Sequence, residues 1–71
     1  RGDAAGAAKA LEAYTRASPQ DPLGWANLRR AYQELGRSED AERARQRALD
    51  ACGSDSGYEP LRRELEGRTP P

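Results

Sequence analysis

Seventy-one residues form at most one small domain. Twelve Lys and Arg against twelve Asp and Glu leave no net charge, which argues against a general nucleic-acid or membrane-surface binder. With no His and a single Cys, neither a metal site, an internal disulfide nor a cofactor is expected.

Ala is the commonest residue, Ile and Val are missing and Arg far outnumbers Lys, so the composition favours helix and disfavours sheet. Asp3 is placed to cap a first helix that carries the Leu11 and Tyr14 stripe to about Ala17, with Glu12 and Arg16 at pairing distance, before Pro19. Asp21 followed by Pro22 is a strong start signal: the carboxylate accepts orphan amides, and proline suits the first helical position. That second helix runs to Leu35 and stops at Gly36, which tolerates the left-handed closing conformation. Ser38 is the expected cap of a third helix, with Glu39 and Asp40 in its positive first turn and Gly53 closing it after Cys52. Ser56 and Glu59 have capping-box spacing for a short fourth helix, in which Tyr58, Leu61 and Leu65 share one face. Gly67 to Pro71 read as a frayed tail.

Besides Ala, the apolar side chains are seven Leu, three Tyr, Trp25 and Cys52, so the core is thin. Marginal stability, or support from neighbouring sequence or a second chain, is the consequence. At 100° per residue Trp25, Leu28, Tyr32 and Leu35 form one stripe suited to packing, which makes Trp25 a core residue and not an exposed hot spot. Leu23, Asn27, Arg30 and Glu34 fall on the opposite side.

Self-similarity adds a second layer. Gly2 and Gly36 are 34 residues apart, as are Ala7 and Ala41, while Pro19 and Gly53 fill equivalent ends. Gly24-Trp25-x-x-Leu28-Arg29-Arg30 returns as Gly57-Tyr58-x-x-Leu61-Arg62-Arg63 at a spacing of 33. Residues 22–53 carry Trp25, Leu28, Tyr32, Ala41 and Ala48, with Gly36 at the turn, and in this they resemble one tetratricopeptide repeat. Residues 2–19 resemble the second helix of a preceding repeat, and 56–66 a capping helix or the shortened first helix of a following one. Three positions depart from the family pattern: Arg29 stands where Gly is preferred, Arg45 replaces an aromatic and Gly53 replaces the closing Pro.

The resemblance implies an all-α fold of antiparallel helical hairpin repeats, about four helices in one domain over 1–66 with a tail at 67–71. It implies a protein-protein interaction scaffold, whose groove is lined by Leu23, Asn27, Arg30 and Glu34 with Arg63 alongside. Arg63 is the counterpart of Arg30 one repeat on, so stacked arginines favouring an acidic or C-terminal carboxylate peptide are expected. The plainer reading of both is a solvated helix face. Asn27 also matches a residue with which some such repeats grip chaperone C-termini, but Ala26 stands where that clamp wants a Lys. The alternative of another class is a structural or oligomerisation element, pairing with the parent protein or a second copy through Leu11 and Tyr14 at one end and Leu61 and Leu65 at the other.

An enzyme is not expected. Cys52, Ser54 and Ser56 have no imidazole base, Glu39 and Glu42 are explained as helix-start charge, and the 53–57 segment lacks the Lys of a phosphate loop. Cys52 reads as a small apolar helix-end residue. Arg1-Gly2-Asp3 spells an adhesion tripeptide, yet Gly-Asp is also an ordinary inter-helix turn. Neither a leader nor a membrane span is evident, which favours a cytoplasmic setting, and a chain that starts at Arg1 is expected to be an excerpt of a longer protein.

Overall fold

A computed structural model describes residues 3–53 and 55–67. The expected tail beyond Gly67, the tripeptide's Arg1 and Gly2, and Ser54 lie outside the described residues. Among the described residues four α-helices follow one another: α1 (Ala4–Ala17), α2 (Pro22–Glu34), α3 (Ser38–Cys52) and α4 (Glu59–Glu66), the last preceded by a 3-10 turn, Ser56–Tyr58. The chain is all-α, its helices are packed, and the described residues include no strand.

Local chemistry explains most of the boundaries. The Asp3 carboxylate accepts the Gly6 amide at 3.0 Å, and Asp21 does the same for Leu23 at 3.0 Å with Pro22 beginning α2. Gly36 and Gly53 follow α2 and α3 with φ of 75° and 56°, values a side chain would resist.

Two expected caps are different. Ser38 is the first residue of α3 and not its cap; Arg37 precedes it without a side-chain capping bond, and its guanidinium instead donates to Asp40 at 2.8 Å. Near α4 the capping box between Ser56 and Glu59 gives way to Asp55, whose carboxylate accepts the Gly57 amide at 2.9 Å and opens the 3-10 turn. Glu59 is thereby left to face Arg62 and Arg63.

Packing is densest between α2 and α3, with α1 laid on α2 and α4 on α3. Ala41, Ala44, Ala48 and Cys52 put a stripe of small side chains along α3, which lets Leu28, Ala31 and Tyr32 of α2 approach closely. Leu28 is 2 % exposed, and burying a side chain of this size stabilises the fold by about 2 kcal/mol. On α1, Ala8 and Leu11 join this cluster. Gly24 marks a close approach of α1 and α2, since a methyl group there would lie 2.7 Å from the Tyr14 ring. A second, smaller cluster gathers Ala48, Cys52 and Leu65, with Leu61 and Tyr58 beside them. Trp25 belongs to the edges of both clusters.

The Trp25, Leu28, Tyr32, Leu35 stripe is therefore only partly core. Leu28 and Tyr32 are buried, Trp25 is half-buried with its indole N–H donating to the Pro19 carbonyl at 2.8 Å, and Leu35 at the end of the helix is 37 % exposed. The expected pairing of Glu12 with Arg16 along α1 yields to a longer-range contact, since the Tyr32 hydroxyl donates to the Glu12 carboxylate at 2.5 Å.

Candidate functional site

The four residues expected to line a groove follow one another about one turn apart along α2, at i, i+4, i+7 and i+11, so the helical repeat alone places them in one row. All four are exposed, and Leu23 at the N-terminal end keeps 53 % of its surface open to water. Arg30 reaches across to α4, where its guanidinium lies 3.7 Å from the Glu64 carboxylate. Arg63, also exposed, faces Glu59 one turn back at 3.5 Å. Each expected groove arginine thus has a carboxylate of α4 beside it, and the two helices contribute side chains to one surface. Both pairs are solvent-exposed, so a competing carboxylate displaces either at a cost of about 1 kcal/mol or less.

A second concave surface lies on another face of α2. Helices α1 and α3 both pack on α2 and meet each other little, leaving a cleft of about 400 Å³ between them. Its floor is Trp25, Leu28 and Tyr32; Glu12, Thr15 and Arg16 of α1 form one wall, Arg47 of α3 the other. Thr15 is buried and its hydroxyl donates to the Glu12 carbonyl at 3.1 Å. The Arg47 guanidinium sits 5.3 Å from the Trp25 ring centre, and Arg37 sits 4.7 Å from that of Tyr32. Burial, reinforced by the bond to Glu12, pushes the Tyr32 hydroxyl up to about 12.

Two arginines fasten α4. Arg45 donates to the Leu65 carbonyl at 3.1 Å, satisfying an acceptor in the last turn, while the rest of its fork grips Glu42 at 2.6 and 3.0 Å. Those bonds, with a smaller contribution from Gln46, hold the Glu42 carboxyl below the usual range. Arg62 donates to the Gly53 carbonyl. No spacing rule marks Arg45, because its acceptor is twenty residues away and is a backbone atom.

The chemistry otherwise available is limited. Cys52 is buried, and burial pushes its thiol up, away from the reactive thiolate. Among the described residues no three His, Cys, Asp or Glu side chains group so as to hold a metal ion, and no helix is long and apolar enough to cross a membrane. Of the four leucine and tyrosine side chains expected at the chain's exposed ends, Leu65 is 1 % exposed and Leu11 and Leu61 pack on the two clusters, which leaves Tyr14 exposed. The Tyr14 hydroxyl donates to Asp21, and this bond raises its pKa.

No family model matches the chain, and no curated protein or solved structure matches it either.

Proposed function

We infer that the chain is a tetratricopeptide-like fragment that works as a protein-protein interaction scaffold, presenting the joint face of α2 and α4 to a polypeptide of acidic character. The observation that carries this reading is the contact between Arg30 and Glu64, which joins the exposed row of α2 to α4 in one surface. Leu23 supplies an apolar anchor at one end of the row, Asn27 a neutral hydrogen-bonding group, and Arg30 and Arg63 the charge. Helix geometry fixes the row in advance, so little backbone entropy is lost when a partner binds. There is no covalent step; the work is recognition.

The test is a titration of labelled peptides with acidic C-termini against the chain and against Arg30→Glu with Arg63→Glu. Reversing both charges is expected to abolish binding while the helical circular dichroism is unchanged. Equal affinity of the folded variant and the original chain removes this reading.

Self-association is the second reading, favoured by the exposure of Tyr14, Leu23 and Leu35. With Leu65 inside the fold, pairing runs through these side chains and not through α4. Sedimentation velocity across a hundredfold concentration range separates the two: a constant monomer mass sinks the self-association reading and leaves the peptide surface standing.

A further inference from the structure

The cleft between α1 and α3 has a charge pattern that its floor alone does not explain. Of the carboxylates in or beside it, Glu12 accepts from the Tyr32 hydroxyl, Asp40 lies between Arg37 and Arg43 at 2.7 and 2.9 Å, and Asp50 shares the adjoining hollow with Pro19 and Arg47 without pairing with an arginine within 4.0 Å among the described residues. Arg16 and Arg47, on opposite walls near Pro19, have no carboxylate within 4.0 Å among the described residues. Arg47 already rests over Trp25, so its stem and guanidinium plane are held close to the apolar floor. One end of the cleft therefore combines two guanidiniums that have no ion pair within 4.0 Å among the described residues with a proline and a half-buried indole.

We propose that this end of the cleft binds an acidic residue followed by an apolar one in a partner polypeptide, the carboxylate held between Arg16 and Arg47 and the apolar neighbour laid on Pro19 and Trp25. Charge complementarity selects the carboxylate, because an arginine fork offers paired donors to planar anions. The apolar floor selects against a free inorganic anion, which would leave Trp25 uncovered. A basic partner residue is disfavoured by the same two arginines. The site uses a different face of α2 from the row through Asn27 and Arg30, so it stands whether or not the α2–α4 surface binds anything.

Trp25 is the single tryptophan, and its indole N–H bonds to the Pro19 carbonyl, so one resonance reports the occupied floor. The experiment is a nitrogen-15 NMR titration of the 71-residue chain with the capped tetrapeptide acetyl-Asp-Leu-Asp-Leu-amide, its Asn-Leu-Asn-Leu counterpart and inorganic phosphate. The acidic peptide is expected to move the Trp25 indole and Arg47 side-chain signals saturably, while the amide counterpart and phosphate bind at least about tenfold more weakly. Arg16→Gln and Arg47→Gln are each expected to weaken the acidic peptide by about tenfold, with helical content unchanged. Arg30→Gln with Arg63→Gln is expected to leave these shifts in place, which separates this site from the α2–α4 surface. Equal binding of the two peptides, equal binding of phosphate, or shifts indifferent to Arg16→Gln and Arg47→Gln would each overturn the proposal. So would the absence of saturable shifts at Trp25 up to millimolar peptide.

Discussion

The α2–α3 hairpin and α4 are held by different physics. Between α2 and α3, alanines on one helix admit Leu28, Ala31 and Tyr32 from the other, and the buried part of the contact is apolar. Helix α4 is only eight residues long and has one fully buried side chain, Leu65, with Leu61 packed beside it; much of the rest of its attachment is polar, with Arg45 and Arg62 donating to backbone carbonyls and Glu64 facing Arg30. Apolar burial scales with area and resists competition from water, whereas a hydrogen bond at the surface exchanges with solvent at small net cost. The hairpin is accordingly the stable unit and α4 the adjustable one. That division suits the scaffold proposed above, whose proposed recognition surface spans both.

Substitutions can break this contrast. Leu28→Ala truncates a side chain buried at the centre of the hairpin and is expected to cost about 3 kcal/mol, unfolding much of so small a domain in a single urea transition. Leu65→Ala is expected to cost about 2 kcal/mol, but with a local signature: fraying of α4 while α2 and α3 keep their helical circular dichroism and amide protection. A global loss equal to that of Leu28→Ala would show that α4 is part of the same cooperative unit.

Alkaline pH probes the hairpin by another route. The Tyr32 hydroxyl is held protonated to about pH 12 in the fold, against an ordinary value of 10.0. The folded state therefore binds more protons than the unfolded state between those values. Its contribution is full below pH 10 and declines as pH rises toward 12, by roughly 2 kcal/mol. Tyr32→Phe is expected to remove that tyrosine's share of the decline, as read by thermal melts across the window. Arg45→Met is expected to have the smallest effect, about 1 kcal/mol, because it removes the bond to the Leu65 carbonyl and the bonds to the exposed Glu42 while keeping an apolar stem of similar length; hydrogen exchange should place the loss in α4.

Local signals in the sequence located much of this fold. Asp3, the Asp21-Pro22 pair, Gly36 and Gly53 each act within a few residues, so their chemistry is visible without a partner. Ser38 and Ser56 misled because a cap is a competition. Arg37 turns to Asp40 beside the first, and Asp55 takes the amide beside the second. Glu12 shows the same limit over a longer span: helical spacing offers it Arg16, and packing gives it Tyr32. The α2 row was legible because a row on one helix is a matter of periodicity alone. The carboxylates of α4 beside its arginines were not, since they depend on how α4 lies against the hairpin. The cleft over Trp25 was missed for a related reason. The stripe that reads as core is core at Leu28 and Tyr32, but α1 and α3 leave Trp25 half open.

Amide hydrogen exchange on the chain, with and without an acidic C-terminal peptide, tests the central claim most directly. Without peptide, exchange is expected to be slowest in α2 and α3 and fastest in α4; bound peptide is expected to slow α4 and the exposed row of α2. Uniform protection of all four helices without peptide, or exchange in α4 that a saturating peptide leaves unchanged, would contradict the account.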